Sequence, residues 1–234
     1  MLGQQTLRGR VAEYPMNCVE GDGKLTDISG NGLHATITGA TPTTDHNGRA
    51  NRAYLYDAAN ENINMGDINI TNLYGATGRG TFVIGFKYVA EARQRVLFSK
   101  YNGSAQSEVL FQFLSDNRLQ IYVFANAFAS NLSTLIDASN FVDGTFYHLI
   151  VKYSNILIGN DKLKVYLNKT YLSNAVTNTG SFNGYTRKSA NYIIGNQSDN
   201  LAARYYNSAI DYVGIFGEDW TDSEFTQKYY EWLK

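Results

Sequence analysis

Strand-length runs bounded by Gly, Asn and Asp recur from the first tyrosines of the chain to Phe216, and two prolines are all that interrupt 234 residues. Proline cannot donate to a hydrogen-bonded ladder, so a chain this poor in it is free to form sheet along most of its length. The clearest strand is Lys162 to Asn168. There Leu163, Val165 and Leu167 alternate with Lys162, Lys164 and Tyr166, which predicts one buried and one wet face. Thr81 to Val89, Glu108 to Leu114, Leu119 to Phe124 and Tyr147 to Tyr153 carry apolar residues on both faces and read as central strands. Turn signals separate them at Asn102-Gly103, Asp116-Asn117, Asp143-Gly144, Asn160-Asp161 and Asn183-Gly184. These residues tolerate the left-handed backbone of tight turns, so the strands are expected to form hairpins rather than βαβ units. Asp57 to Gly80 is loosely patterned and is read as containing a long surface loop.

Helical signals agree only at the C-terminal end. Thr221 and Glu224 form a Thr-x-x-Glu capping box, and Trp220 and Phe225 occupy the two positions of a hydrophobic staple. Phe225, Tyr229 and Leu233 then recur at helical spacing, a stripe expected to dock the helix on the sheet.

Composition sets the remaining bounds. Hydrophobic residues make up 44% of the chain and charged residues 18%, with 18 Tyr and 12 Phe, enough apolar material for a core beneath a polar, weakly charged surface. The 20 basic and 21 acidic residues nearly cancel and no Lys/Arg run occurs, which argues against nucleic acid as a partner. The apolar runs fall well short of the ~20 residues of a membrane-spanning helix, so no membrane insertion is expected. Met1 to Arg10 lacks the apolar stretch of a secretory signal and reads as an N-terminal arm. Cys18 is the one cysteine, which excludes an internal disulfide and is read as a buried, inert thiol.

Tyr14-Pro15-Met16-Asn17, a short acidic turn and then Asp27-Ile28-Ser29-Gly30-Asn31-Gly32-Leu33-His34-Ala35-Thr36 form an ordered series with Gly39-Ala40-Thr41, Arg52 to Asp57 and Asn62 to Gly66. Phe82 to Tyr88, Phe146 to Val151, Lys164 to Asn168 and Ala209 to Ile215 continue it. The series resembles laminin-G-like, concanavalin A-like jelly-roll domains of the bacterial and phage type, with Ala35 where the family usually has Gly. It extends over about residues 11 to 233. The resemblance implies an all-β fold, a two-sheet antiparallel jelly-roll sandwich with a short C-terminal helix. An arm at 1–10 and a laminin-G-like domain at 11–234 are the expected organisation.

This fold hosts lectins, adhesion modules and glucanases, so function has to be read from sites. Glucanases with the fold carry Glu-x-Asp-x-x-Glu on one strand, and no Glu here begins that pattern. Glycosidic cleavage needs two carboxylates flanking the bond, so no enzymatic activity is expected. A Gly-x-Ser-x-Gly elbow, a phosphate loop and a dinucleotide fingerprint are absent from the sequence, and His34, His46 and His148 never approach metal-ligand spacing. Asp27, Ser29, Asn31 and Gly32 match half of a calcium loop, but the twelfth position is Thr38. The plain reading there is a tight turn in which Asp27 and Asn31 bond their own backbone.

Several relatives hold a structural Ca²⁺ on an Asp of the penultimate long strand, aided by backbone carbonyls from the N-terminal strand and an early loop, and Asp211 stands at the matching position. The resemblance therefore implies Asp211 as a candidate Ca²⁺ ligand, beside the alternative of a hydrogen-bonded strand carboxylate. For sugar, exposed aromatic faces next to amides are the expected recognition groups. Tyr101 with Asn102, Tyr122 and Phe124 with Asn126, and Tyr185 with Asn183 are the candidates, at strand edges or loops. The reading is a non-catalytic, lectin-like module for a glycan or cell-surface glycoprotein, displayed outside a cell or on a virion. The alternative is a structural or decoration protein of a phage head or tail, in contact with other virion proteins. A glycoside hydrolase ranks last.

Overall fold

The computed structural model describes residues 9–17, 19, 21, 23–70, 78–102, 106–126, 130–172, 174–180, 182, 188–197, 204–218 and 220–234, with the side chains of Gln106 and Asn126 set apart. Cys18, Asn183 and Tyr185 lie outside these residues.

The described strands form two antiparallel sheets. The first holds β1 (Arg10–Tyr14), β4 (Thr41–Thr43), β5 (Ala53–Leu55), β7 (Arg79–Lys87), β12 (Phe146–Ser154), β13 (Leu163–Leu167), β14 (Thr170–Leu172) and β17 (Ala209–Phe216). Its order is β14-β13-β12-β7-β17-β5-β4, with β1 paired to β17. The second holds β2 (Lys24–Leu25), β3 (Ala35–Thr38), β6 (Asn62–Gly66), β8 (Arg95–Asn102), β9 (Gln106–Phe113), β10 (Leu119–Asn126), β11 (Ser130–Ile136), β15 (Val176–Thr179) and β16 (Tyr192–Ile194), in the order β15-β11-β10-β9-β8-β16-β6-β3-β2. Near the C-terminal end of the described residues an α-helix, α1, spans Asp222–Trp232.

The predicted central strands take their places. β7 lies between β12 and β17, and β9 between β8 and β10. Pro42 sits on the terminal strand β4, where its missing N–H costs no ladder bond. The Asp116-Asn117 turn closes the β9–β10 hairpin with Asn117 at φ +67°. Within the Asp57 to Gly80 region, where a long loop is expected, the described residues include a strand. It is β6, which pairs with both β3 and β16 and buries Ile63 and Met65; the alternation in Asn62–Gly66 is carried by only two apolar residues.

Alternate residues of facing strands meet in one core. Phe82, Ile84 and Phe86 of β7 pack with Phe98, Phe111 and Phe113 of the other sheet and with Leu149, Val151, Val213 and Ile215. On β13, Leu163, Val165 and Leu167 enter this core as expected. The opposite face is wet only in part: Lys162 and Lys164 are half-exposed, but Tyr166 is buried in a second cluster with Val83, Ile150, Tyr212, Phe216, Trp220 and Phe225, because α1 covers it.

The start of α1 is capped as predicted. Thr221 Oγ1 accepts from the Glu224 backbone N–H and the Glu224 carboxylate accepts from the Thr221 N–H, while Trp220 and Phe225 share the second cluster. The docking face is wider than the expected stripe. Phe225 and Lys228 are buried, Tyr229 and Trp232 are both half-buried, and Leu233 is exposed. The place of Lys228 in that face has a cause in charge. Lys228 Nζ lies 2.5 Å from Glu13 Oε1 on β1, both residues being buried, and 4.6 Å from the Tyr212 ring centroid. The Tyr212 hydroxyl donates to the same Glu13 oxygen at 2.7 Å. Burial first, and then the Glu13 charge, hold the Tyr212 phenol well above its ordinary pKa.

His148 of β12 lies under the same helix. Its ring is buried against Trp232 and Tyr229, at centroid distances of 5.1 and 5.6 Å, and neither ring nitrogen has a hydrogen-bond partner. Burial, reinforced by the charges of Lys228 and His46, pushes its pKa down to about 3.

Two outcomes follow from this packing. Glu13→Ala leaves the Lys228 ammonium buried without its carboxylate and is expected to cost about 3–5 kcal/mol in urea unfolding, while the joint change Glu13→Leu with Lys228→Met recovers most of it. A Glu13→Ala protein as stable as wild type would refute the pairing. For His148, the unfolded ring has an ordinary pKa near 6.5 and takes up a proton that the folded ring refuses. Stability is therefore full above pH ~6.5 and falls by about 1.4 kcal/mol per unit as pH drops toward 3. Between pH 7 and pH 5, His148→Leu should lose about 2 kcal/mol less than wild type; equal losses would show that His148 is not the group responsible.

Candidate functional site

Two places outside the core gather polar and aromatic side chains, one on the outer face of each sheet.

On the eight-stranded sheet, a cavity of about 440 Å³ opens between β1, the loop joining β4 to β5, and the last turn of α1. Asp211 and Tyr212 of β17 both line it. Consecutive strand residues normally face opposite ways, and here the pairing of β17 with β7 slips between Ile210 and Tyr212, so both side chains emerge outward. Asp211 Oδ1 accepts from the Trp232 indole N–H at 3.0 Å. Oδ2 accepts from the His46 ring Nδ1 at 2.7 Å and from the His46 backbone N–H at 3.3 Å. The His46 ring stacks on Trp232 with centroids 3.8 Å apart. Beneath them β7 has Gly85, where a Cβ would come within 2.1 Å of Asp211 Oδ1 and 2.6 Å of Trp232 Nε1. Only a bare backbone lets the carboxylate and indole lie on the sheet.

The loop presenting His46 is folded on Asp45. Its carboxylate accepts from the backbone N–H groups of Asn47 and Arg49 and from Arg49 Nε at 2.7 Å. Burial raises the Asp45 pKa, but the bonds from Arg49 and Asn47 outweigh it and hold the group below its ordinary value. Asn47 Nδ2 donates to the Leu233 carbonyl at 3.2 Å, which ties the loop to the end of α1.

This geometry tests the expected calcium ligand. A Ca²⁺ ion takes six to eight oxygens. Both Asp211 oxygens instead accept N–H donors, from Trp232 and from His46. As arranged, the surroundings of Asp211 do not fit Ca²⁺. The Asp27 turn is likewise closed on itself: its carboxylate accepts from the backbone of Glu13, Ser29 and Leu33 and from Ser29 Oγ.

On the outer face of the nine-stranded sheet, Tyr101, Tyr122 and Phe124 come together across β8 and β10. The Tyr122 and Phe124 rings are nearly parallel, 10° apart with centroids at 5.2 Å, and Tyr101 lies 6.2 Å from Phe124. Phe124 is buried with Val96 and Leu110, which leaves the two tyrosines half-buried. An amide chain runs beside them: Gln112 Nε2 donates to Gln120 Oε1 at 2.9 Å, and Gln120 Nε2 donates to the Tyr122 hydroxyl at 3.0 Å. Asn102 is exposed at the end of β8, opposite Gln106, and Asn126 ends β10 opposite Ser130. Sequence reasoning named Tyr101 and Tyr122 as candidates and did not name the glutamines beside them, although Gln112 shares the parity of Leu110, and Gln120 that of Tyr122. It also missed His46 and Trp232, whose meeting with Asp211 depends on contacts between residues far apart in the chain.

A family model described as the concanavalin A-like lectin/glucanases superfamily matches residues 86–225, more than half of the chain. No curated protein sequence matches it. Among solved structures, the receptor binding domain of botulinum neurotoxin C/D mosaic serotype is similar at TM-score 0.71 and 10% identity, over 95% of this chain and 51% of that one. The binding domain of botulinum neurotoxin DC, solved in complex with SialylT, matches at TM-score 0.70 and 12% identity, over 96% and 52%. A Trypanosoma rangeli sialidase in complex with sialic acid matches at TM-score 0.66 and 12% identity, over 94% and 32%. The chain thus spans about half of the neurotoxin domains and a third of the sialidase, and identities this low speak to the fold. The family match and the two packed antiparallel sheets lead to the same conclusion, that this chain belongs to the concanavalin A-like lectin/glucanase superfamily.

Proposed function

We propose that the chain is a non-catalytic glycan-binding module whose ligand packs on the Tyr101–Tyr122 face of the nine-stranded sheet. The observation that carries this reading is the joining of aromatic rings to amides on one outer sheet face: Tyr101, Tyr122 and Phe124 beside Gln112 and Gln120. A sugar ring offers an apolar C–H face to an aromatic ring, while its hydroxyls both donate and accept, as amides do. The placement on β8, β9 and β10 supports it, because central strands hold recognition groups more rigidly than loops. Structural neighbours include a neurotoxin binding domain solved with SialylT, which is in keeping with sugar recognition on this fold. The non-catalytic part of the reading rests on the carboxylates of the other face. Glu13 and Asp211 are each engaged by internal donors, whereas glycosidic cleavage requires two carboxyl groups free to meet the bond.

One feature favours a second reading, assembly with other proteins of a particle. The β12–β13 connection exposes Ile156, Leu157 and Ile158 in succession, at 68%, 38% and 81%. Three adjacent exposed aliphatics are costly in a free monomer. If this tip is an assembly contact, Ile156→Ser with Ile158→Ser abolishes association seen by light scattering; a monomer at all concentrations before the change excludes that role.

Glycan-array screening followed by calorimetry tests the principal reading. Tyr122→Ala is expected to cost about 2 kcal/mol, roughly thirtyfold in affinity, and Tyr122→Phe much less, since stacking survives. A silent array, or a ligand bound equally by Tyr122→Ala, would show that this face is not the site.

A further inference from the structure

The cavity on the opposite sheet carries an inference that stands apart from the aromatic face. Four carboxylates line it, and each is already engaged within the protein. Glu13 accepts from Lys228 and Tyr212, Asp45 from Arg49, Asp211 from His46 and Trp232, and Glu231 from Lys228 and Gln227. Against them stand five cations, Arg10, Arg49, Arg52, Lys228 and Lys234.

The two sets differ in what they have left to offer. A guanidinium carries five N–H donors in a planar fork, and a single carboxylate partner cannot use them all. Arg49 gives Nε to Asp45 and one terminal nitrogen to the Lys234 carbonyl. Arg52 is exposed and makes no ion pair among the described residues. Arg10 is paired with Glu13, and Lys228 with Glu13 and Glu231, so the lining combines engaged carboxylates with two guanidinium groups, Arg49 and Arg52, that keep N–H donors to offer.

That balance selects a ligand chemistry. A multiply charged phosphate would meet four carboxylates at close range, and like charges brought together are costly. A neutral sugar would leave the surplus guanidinium donors unmatched. A molecule with one negative charge and several hydroxyls answers both conditions, because each hydroxyl donates to a carboxylate or accepts from a guanidinium. The volume of about 440 Å³ lies within the ~300–1,000 Å³ of small-ligand pockets and is generous for a lone inorganic anion. Pro15 and Ile28 supply an apolar stretch of wall for the C–H face of a ring. We propose that this cavity is a binding site for a carboxylated pyranose, a hexuronic acid, with its carboxylate on Arg52 and Arg49 and its hydroxyls toward Asn17 and Glu231.

Isothermal titration with D-glucuronate, D-glucose and sodium sulfate tests the assignment on wild type, Arg52→Gln and Tyr122→Ala. Saturable binding of glucuronate is expected, with glucose and sulfate each weaker by about tenfold or more. Arg52→Gln should weaken glucuronate by a similar factor, with an unchanged melting temperature because its side chain is exposed. Tyr122→Ala should bind glucuronate as wild type does, which separates this site from the aromatic face. Absence of saturable glucuronate binding would overturn the proposal. So would sulfate or glucose binding as tightly as glucuronate, or a loss that follows Tyr122→Ala instead of Arg52→Gln.

Discussion

A lysine ammonium and a glutamate carboxylate taken out of water cost several kcal/mol each, and they stay buried only when each answers the other with good geometry. Glu13 and Lys228 meet this condition, with the Tyr212 hydroxyl as a third member. Because the three residues belong to β1, α1 and β17, the bond joins both ends of the described chain to the last long strand. It also sets the rotation of α1. Burying Lys228 brings Trp232 down onto Asp211 and leaves Leu233 in solvent. The cavity floor is thus a by-product of how the helix is charged, since the same residues that anchor α1 line the space beside it.

The anchor works only if β1 itself is fixed. One of its edges pairs with β17. The other is held by the Asp27 to Asn31 turn: Asn31 Nδ2 donates to the carbonyls of Arg10 and Val11, Ser29 Oγ donates to Val11, and Asp27 accepts from the Glu13 N–H. A strand whose backbone groups are met by side chains rather than by another strand offers no free edge to a second molecule. The two glycines of the turn stand at φ +95° and +69°, a region that L side chains rarely adopt, so the turn needs them where they are. This assigns a physical role to a segment near the start of the series that carries the family resemblance. It closes a strand edge, and by doing so it positions a buried carboxylate.

The strands were legible because their signals are local. Alternation in Leu163, Val165 and Leu167, a capping box at Thr221 and turn residues at Asp116-Asn117 depend on neighbours a few positions away. Tyr101, Tyr122 and Phe124 could be listed as candidates for the same reason, but their union could not. It depends on the pairing of β8 and β10 with β9, a register that no short segment encodes alone. The other face was less legible still. Asp211 and Tyr212 both point outward through a slip in strand pairing, Gly85 matters through the Cβ it lacks, and His46 reaches Asp211 from 165 residues away. Lys228 was hidden by its own character, since an aromatic or leucine at helical spacing is an expected anchor and a lysine is not. The resemblance pointed to Asp211 as a special residue; its surroundings answer that expectation with N–H donors.

The two outer faces therefore use different physics, and the difference follows from what covers each sheet. α1 shields the eight-stranded sheet, so its polar groups lie in a recess where water is partly excluded and charge counts for more. On the proposed reading, selection there comes from charge and from the fit of hydroxyls, and it is sensitive to any shift of α1 or of the Asp45 loop. On the nine-stranded sheet the tyrosines stand on paired strands, half-open to solvent, where charged pairs would be screened but ring contact is not. On the proposed reading, selection on that face depends on shape and stacking, which suits a neutral sugar ring, whereas the charge of a uronic acid is matched in the recess and finds no partner on the strands.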